Sequence, residues 1–465
     1  MRCRAAQFSA ALFLGLACTA GADGISSLRA AMREEEQGHM QIGIALYTAA
    51  IQDPMLSQHD RMAAHYDRAG AYELSGDYEQ AIGDYNLILQ ADPRNVLVLG
   101  KRAEAWWSLG EVKKALADYD EALRLEPRNA VLLSGRGNLY RGRSDLTRAL
   151  ADYDLSAQLD PGNPAVYLNR ALAYKDMGDN GRALSDLGQA LRLDPKYAKA
   201  YLFRAYTYRA AGDLEHAIAD YDAVLRLDPG NATVYYNRAN ANAARGQAES
   251  AIIDYGHAIA LNPRDPWAYF NRAGLYLERG EYEQAIADYQ STLALNGRNA
   301  DAHFSLGSAR FFSGRYAEAA QDISRALTMP TDGVLAFSTG SDGGLDTKYR
   351  LIWRYLARRR AGQDGTDELR RGAAALDGGD WPSPVIELLL GRIDGERLLA
   401  AARDAVPELQ RKKQCEASAY LGEMRLIGAD RAGALSLFKV AGEQCPAGYI
   451  EHRLALVELQ RLGQP

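Results

Sequence analysis

Small, large apolar and polar residues follow one another along this chain in a pattern that returns every 34 residues. Clear copies begin at Gly76, Gly212 and Gly280, where Ala-Ile follows five residues later and Tyr nine residues later. The apolar positions in each copy are spaced for two amphipathic helices separated by a turn. Eight units follow one another without a gap, and they start at Met62, Val96, Ala130, Pro164, Ala198, Ala232, Pro266 and Ala300.

Particular positions in the unit explain how its two helices pack. A small residue stands at unit position 8 and Ala at position 20 in all eight units, which predicts a close crossing of the first helix (A) and the second helix (B). Gly at position 15 permits the turn, and Pro at position 32 ends helix B in the first six units. Because one unit cannot bury its apolar stripe alone, the units are expected to stack with a shared core.

The pattern resembles the tetratricopeptide repeat, which has a small residue at position 8, an aromatic at 11, Gly at 15, Ala at 20, an aromatic at 24 and Pro at 32. The resemblance implies an all-α solenoid, a right-handed superhelix of helix-turn-helix units that binds other proteins. Departures occur late in the array, where Gly297 replaces Pro and Pro330 falls one place early. Irregular geometry is expected at those ends.

Charged residues at two unit positions predict a ladder of ion pairs inside the array. Arg stands at position 7 of seven units and Asp at position 23 of all eight, and a guanidinium group suits a carboxylate geometrically. Ligand binding by these residues is the alternative. Leu306 replaces Arg in the eighth unit, so Asp322 is expected to lack this partner. The predicted ladder comprises Arg68, Arg102, Arg136, Arg170, Arg204, Arg238 and Arg272 with Asp84, Asp118, Asp152, Asp186, Asp220, Asp254 and Asp288.

A binding groove is predicted along the A helices. By resemblance to the family, positions 2, 5, 9 and 12 face a concave groove, which would be basic in the middle units and aromatic in the later ones. Such a surface suits an extended peptide or a partner helix; packing of the aromatic side chains between repeats is the alternative. The predicted groove residues are Arg141, Lys175, Lys199, Tyr206, Arg209, Tyr236, Asn240, Trp267, Phe270, Phe304 and Phe311.

The segments that flank the array divide the rest of the chain. Residues 23–61 are interpreted as a degenerate capping unit, 62–333 as the eight repeats, 334–346 as a linker, 347–414 as short helices, and 415–465 as a ninth unit with a closing helix. Cys415 and Cys445 take positions 1 and 31 of the ninth unit, which are neighbouring ends of an antiparallel helix pair. A disulfide is expected in an oxidising compartment; two free buried cysteines are the alternative.

The first residues indicate export. Arg2 and Arg4 precede a short apolar run, and Ala20-Gly21-Ala22 supplies a small-x-small cleavage pattern, so residues 1–22 are interpreted as a signal peptide. A disordered or buried start is the alternative. Cys18 stands where a lipoprotein cysteine lies, but Gly15 occupies the place where such signals usually carry Leu. A periplasmic location is therefore expected, with lipid anchoring at the envelope through Cys18 as the alternative.

The tail carries a second resemblance. Tyr349-x-x-Ile352-Trp353, the Trp381-Pro382 connector and Glu451-His452-Arg453 occur in an order that is similar to the tail of new-lipoprotein-I (NlpI) type envelope proteins. Those are helical-repeat adaptors that bring proteases to peptidoglycan hydrolases, often as dimers. The resemblance implies envelope proteases or peptidoglycan enzymes as partners, and a possible homodimer.

No motif of a known active site occurs in the chain, and the seven His residues have no ligand-like spacing. We therefore expect no catalytic residue, metal or cofactor, and we expect the carboxylates to lie mainly on solvated helix faces. The net charge of −6 disfavours nucleic acid as a partner. The sequence thus predicts a non-enzymatic adaptor that binds proteins in its groove. A self-associating structural protein and an unrecognised enzyme in the tail are the alternatives.

Overall fold

The computed structural model describes residues 24–329, 347–376 and 380–463. These residues form helices and no strand, which confirms the all-α prediction. The chain divides into two compact bodies, one up to Ala223 and one from Val224 onward. The predicted signal peptide 1–22 and the predicted linker 334–346 lie outside the described residues. In the described part of the chain, no helix is both long and apolar enough to cross a membrane.

The first body consists of successive antiparallel helix pairs. The boundary between the two bodies falls within the last helix of this series, between Ala223 and Val224. The helices are α1 (Gly24–Glu36), α2 (Met40–Gln52), α3 (Gln58–Ser75), α4 (Tyr78–Ala91), α5 (Val96–Ser108), α6 (Val112–Leu125), α7 (Ala130–Gly142), α8 (Leu146–Leu159), α9 (Pro164–Asp176), α10 (Asn180–Leu193), α11 (Ala198–Ala210) and α12 (Leu214–Leu227).

The second body contains three more repeat pairs and the helices of the tail. The repeat helices are α13 (Ala232–Ala244), α14 (Ala248–Leu261), α15 (Pro266–Glu278), α16 (Tyr282–Leu295), α17 (Ala300–Phe312) and α18 (Tyr316–Leu327). The tail helices are α19 (Thr347–Arg360), α20 (Thr366–Ala374), α21 (Ser383–Leu389), α22 (Gly395–Ala401), α23 (Pro407–Ile427), α24 (Arg431–Gln444) and α25 (Ile450–Arg461).

The turn between helices A and B needs a left-handed backbone at unit position 15. Gly76 has φ 82° and Gly212 has φ 80° at that position. Ser144 and Ala429 are the position-15 residues of units that lack Gly there, and they adopt φ 60° and 64°. The turn is therefore kept without Gly, at a cost of about 1 kcal/mol for each residue.

Small residues at position 8 allow helix A to lie against a large side chain at position 24 of helix B. A Cβ atom on Gly137 would lie 2.7 Å from Tyr153 Cε1, and one on Gly422 would lie 2.8 Å from Phe438 Cε1. Tyr153 and Phe438 are both fully buried. A larger residue at position 8 would push the helices apart, since protein cores contain little free space.

The structure places the Arg and Asp residues of the predicted ladder against one another in all seven units. In the third unit Arg136 donates from Nε to Asp152 Oδ2 and from Nη2 to Oδ1, each over 2.8 Å. The same bidentate contact joins the Arg and Asp residues of the other six pairs, with N–O distances of 2.6–2.9 Å. Arg136 also donates from Nη1 to Asp120 on the preceding helix B, over 2.8 Å. The ladder therefore ties consecutive units together as well as the two helices of one unit.

Asp322 lacks the position-7 Arg, as expected from Leu306, and it pairs with two other arginines. Arg310 on the same unit's helix A pairs with its Oδ2 atom, and Arg325 lies 3.0 Å from Oδ1. Arg310 stands at unit position 11, where six of the other seven units carry an aromatic residue and one carries Asn242. A cation from the same helix face takes the place of the missing position-7 Arg.

Removing one carboxylate of the ladder should destabilise the first body. Asp152→Ala leaves the guanidinium group of Arg136, whose side chain is 22% exposed, without its two-pronged partner. We expect the free energy of unfolding to fall by about 2–4 kcal/mol in urea denaturation. Asp120→Ala is the matched control, because its side chain is 57% exposed, and it should cost less than about 1 kcal/mol. Equal losses in the two variants would contradict this account.

The tail packs on the last repeat of the array through one apolar core. Trp353 on α19 is fully buried, and its ring centre lies 5.1 Å from that of Phe311 and 5.7 Å from that of Phe312, both on α17. Arg461 on α25 donates from Nη2 to the backbone oxygen of Phe312 over 2.6 Å. The tail helices thus cover one face of α17, which is helix A of the eighth unit.

The ninth unit is formed by α23 and α24. Helix α23 starts at Pro407 and runs through Cys415, so it is longer than the A helices of the array. Cys415 and Cys445 are joined in a disulfide with their Cα atoms 4.9 Å apart. The bond links helix α23 to the end of α24.

Four carboxylates of the tail are buried, although the sequence led us to expect solvated ones: Glu416, Glu423, Glu451 and Glu458. Burial raises the pKa of Glu423 to about 8, with Arg360 opposing the shift and Glu458 adding to it. Burial likewise raises the pKa of Glu451 to about 8, and the nearby Glu416 adds to it. Tyr420 donates to Glu451 Oε1 over 2.5 Å. The tail therefore contains two buried groups that titrate near neutral pH.

Candidate interaction surface on the A helices

The A helices of neighbouring units lie side by side, and side chains from their middle and last turns meet there. In the first body Asn169 Nδ2 lies 3.3 Å from Ser134 Oγ, and Arg141 Nη1 lies 3.3 Å from Asp176 Oδ2. In the second body Asn271 Nδ2 lies 3.2 Å from the Tyr236 hydroxyl. We call this surface the inner face, and we describe it for each body separately.

An open cavity of about 170 Å³ lies on the inner face of the second body. Its polar lining comes from Asn240, Asn271, Tyr255 and Glu278, and Phe270 contributes an apolar wall. The residues come from α13, α15 and the B helices behind them, so two consecutive repeats build the site. The cavity is large enough for a side chain of a bound segment and too small for a large cofactor.

A chain of hydrogen bonds fixes the polar groups of this cavity. The Tyr255 hydroxyl donates to Asn240 Oδ1 over 2.5 Å, and Asn271 Nδ2 donates to the same oxygen over 3.1 Å. Burial, followed by the nearby Tyr236 hydroxyl, raises the pKa of Tyr255 well above its usual value. Tyr255 therefore stays a neutral hydrogen-bond donor. The two amides are held in place with capacity left for a peptide backbone.

The same arrangement occurs in the first body, 102 residues earlier in the chain. The Tyr153 hydroxyl donates to Asn138 Oδ1 over 2.7 Å, and Asn169 contacts the preceding A helix. Of these amides, Asn240 alone is among the groove residues predicted from the sequence. The signal that would have found the others is Asn at position 9 of one unit followed by Asn at position 6 of the next, which occurs in both places.

Three aromatic residues predicted for the groove are buried instead. Phe304 is 3% exposed and Phe311 is 0% exposed, because the tail packs on α17. Phe270 is 8% exposed and packs edge-on against Tyr289, with ring centres 5.5 Å apart. Phe304 and Phe311 are therefore unavailable to a partner in this structure, and Phe270 presents only an edge to the cavity.

The other predicted groove residues keep exposed surface. Tyr236 and Trp267 are half-buried in the second body. Tyr236 contacts the cavity residue Asn271, and Trp267 stands about one turn before Asn271 in α15. In the first body Lys199 and Arg209 are exposed, and Arg141, Lys175 and Tyr206 are half-buried. The basic residues thus belong to the first body, whereas accessible aromatic residues occur in both bodies, Tyr206 in the first and Tyr236 and Trp267 in the second.

Comparison with known proteins agrees with the repeat geometry. A family model described as tetratricopeptide repeat matches residues 28–96, 101–164, 168–232 and 205–266, and two further models of this repeat match 255–287 and 273–314. Together the matches span more than half of the chain.

Solved structures of other repeat proteins align with part of the chain. MamA is 27% identical over 36% of this chain and 90% of that one, with a TM-score of 0.35. A tetratricopeptide repeat protein from Parabacteroides merdae is 24% identical over 51% and 94%, with a TM-score of 0.38. YrrB, described as a tetratricopeptide protein with an unusual peptide-binding site, is 23% identical over 38% and 92%, with a TM-score of 0.33. On the repeat matches and the helix pairs, the chain belongs to the tetratricopeptide-repeat family.

Proposed function

We propose that this protein is a non-enzymatic adaptor of the bacterial cell envelope that binds segments of other proteins on its inner face. A protein-interaction scaffold is the role that tetratricopeptide repeats support. The observation that carries the proposal is the cavity between α13 and α15, where Asn240 and Asn271 are held by hydrogen bonds. The half-buried Tyr236 contacts Asn271, and the half-buried Trp267 stands about one turn before Asn271 in α15. Fixed amides next to aromatic anchors suit an extended peptide.

The envelope location rests on the sequence. Residues 1–22 have the composition of an export signal, and a disulfide at Cys415 suits an oxidising compartment. The order of tail motifs that resembles NlpI-type adaptors points to envelope proteases or peptidoglycan enzymes as partners. Self-association is the competing account, because those adaptors are often dimers.

An affinity capture from envelope extract tests the proposal. The bait is the chain from Asp23 onward, compared with the double variant Trp267→Ala and Asn271→Ala. These two side chains are half-buried, so their loss removes inner-face contacts with little effect on the core, and Phe270 is left in place. We expect proteins that bind the unchanged bait to lose at least about tenfold in affinity for the variant.

A control on the opposite surface completes the design. Ile253 on α14 is 56% exposed, so Ile253→Ala should retain every partner. Equal capture by the inner-face variant and the unchanged chain would move binding elsewhere. Recovery of the bait alone, together with a dimer in light scattering, would favour the self-associating structural protein.

A further inference from the structure

One row of side chains on the inner face of the first body has a composition unlike the rest of this acidic chain. Unit position 12 holds Trp107, Arg141, Lys175 and Arg209 in four consecutive units. Each stands in the last turn of its helix, which is α5, α7, α9 or α11. Trp107 is 37% exposed, and Arg209 is exposed. The row therefore presents one aromatic ring followed by three cations.

The three cations are poorly neutralised within the protein. Arg141 Nη1 lies 3.3 Å from Asp176, whose own side chain is 45% exposed. No ion pair within 4.0 Å is found for Lys175 or Arg209 among the described residues. The whole chain nevertheless has a net charge of −6. Three neighbouring cations facing one carboxylate constitute a site for an acidic partner.

The spacing of the row selects the shape of that partner. Packed helices lie about 8–10 Å apart, so the equivalent residues of neighbouring A helices are separated by a similar distance. A polyproline II segment rises about 3.1 Å per residue with three residues per turn. Every third side chain then points the same way, at intervals of about 9 Å. An extended segment with an acidic residue at every third position matches the row.

The aromatic ring of Trp107 stands at one end of the row and is partly exposed. The exposed apolar residues Leu97 and Val131 stand ten residues earlier in α5 and α7, about 15 Å along each helix from the row, so they are not part of it. A partly exposed aromatic ring suits one apolar side chain of a partner. We propose that the first body binds an extended protein segment with acidic residues at every third position and an apolar residue at one end.

This inference rests on the proposed adaptor function and adds the chemistry of the partner. The test uses fluorescein-labelled peptides and the chain from Asp23 onward, followed by fluorescence anisotropy. One peptide carries three Glu residues at every third position and a terminal Leu, and the other has the same composition with the three Glu residues contiguous. We expect the spaced peptide to bind at least about tenfold more tightly, and its affinity to fall with added salt.

Charge reversal in the middle of the row gives the second measurement. Lys175→Glu should weaken binding of the spaced peptide by at least about tenfold. Lys113→Glu on α6 is the matched control, because Lys113 is an exposed helical Lys outside the row, and it should change binding less than about twofold. Circular dichroism checks that both variants keep their helix content.

Several outcomes would overturn the inference. Equal binding of the two peptides would show general charge attraction without selection by spacing. Equal effects of Lys175→Glu and Lys113→Glu would remove the row from the site. Tighter binding of a single-stranded oligonucleotide than of the spaced peptide would assign the row to nucleic acid. The adaptor proposal is tested separately, by whether the Trp267→Ala and Asn271→Ala double variant loses captured partners. If it does, the adaptor proposal holds even where the peptide experiment contradicts this inference.

Discussion

Trp353→Ala should lower the free energy of unfolding of the second body by about 3–5 kcal/mol, the usual cost of removing a buried large aromatic side chain. The Trp353 ring contacts Phe311 and Phe312 edge-on, so its loss leaves a void between α19 and α17. We expect urea unfolding to shift to lower concentration. We also expect faster amide exchange in α19 and greater binding of a hydrophobic dye, because Phe304 and Phe311 become accessible.

Two control variants separate burial from side-chain chemistry. Trp353 Nε1 has no hydrogen-bond partner among the described residues, so Trp353→Phe should recover most of the lost stability. Trp107→Ala removes the same side chain at a site that is 37% exposed and should cost about 1 kcal/mol or less. If Trp353→Ala behaved like Trp107→Ala, the tail would not be held to the array through this ring.

The repeated part of the fold was predictable because its information is local. Gly137 faces Tyr153 within one unit, and Arg136 meets Asp152 sixteen residues away. Contacts of this kind recur with the 34-residue period, so the unit positions alone indicate them. Ser144 shows that the turn persists where the residue type departs from the pattern. The helix pairs could therefore be derived without knowledge of distant contacts.

The tail contacts could not be derived in this way. Phe304 and Phe311 occupy groove positions by their unit numbers, and they are buried because the tail helices, which begin at Thr347, cover α17. Glu423 and Glu458 stand in amphipathic helices like many solvated carboxylates of this chain, and they are buried where α19, α23 and α25 pack together. Such contacts occur once, so no repeat period reveals them.

Glu423→Gln should stabilise the protein at pH 8 and do so much less at pH 5. The carboxyl group of Glu423 is fully buried and accepts no hydrogen bond from the described residues. Its closest cation, Arg360 Nε, lies 3.9 Å away, while Arg360 Nη2 contacts Glu458 over 2.8 Å. Gln has the shape of the protonated acid and carries no charge into this site at any pH.

The sign of the effect follows from proton binding in the two states. The pKa of Glu423 is about 8 in the folded protein, against 4.5 for the ordinary carboxyl group. Below pH 4.5 both states hold the proton, and stability is at its highest with respect to this group. As the pH rises towards 8 the unfolded chain loses the proton first, which lowers stability by up to about 1.4 kcal/mol per pH unit. Stability gained by Glu423→Gln should therefore reach about 2–4 kcal/mol at pH 8.

Thermal or urea unfolding of the variant at pH 5, 6.5 and 8 measures this difference. Glu451 also has a pKa raised to about 8. The stability of the Glu423→Gln variant should therefore still fall as the pH rises, but less steeply than that of the unchanged protein. Glu458→Gln is the opposing control, since Arg360 and Arg461 both pair with Glu458, and it should lower stability at pH 5 and at pH 8 alike.

A loss of stability at pH 8 in Glu423→Gln, similar to that in Glu458→Gln, would contradict the argument. It would mean that Glu423 is ionised in the folded protein and serves as a second carboxylate for Arg360. A gain that is large at pH 8 and much smaller at pH 5 would instead identify Glu423 as a buried neutral acid. Glu423 on α23, Arg360 on α19 and Glu458 on α25 come from three tail helices. Ionisation of Glu423 therefore weakens the packing that brings these helices together, and alkaline conditions should loosen the tail before the repeats.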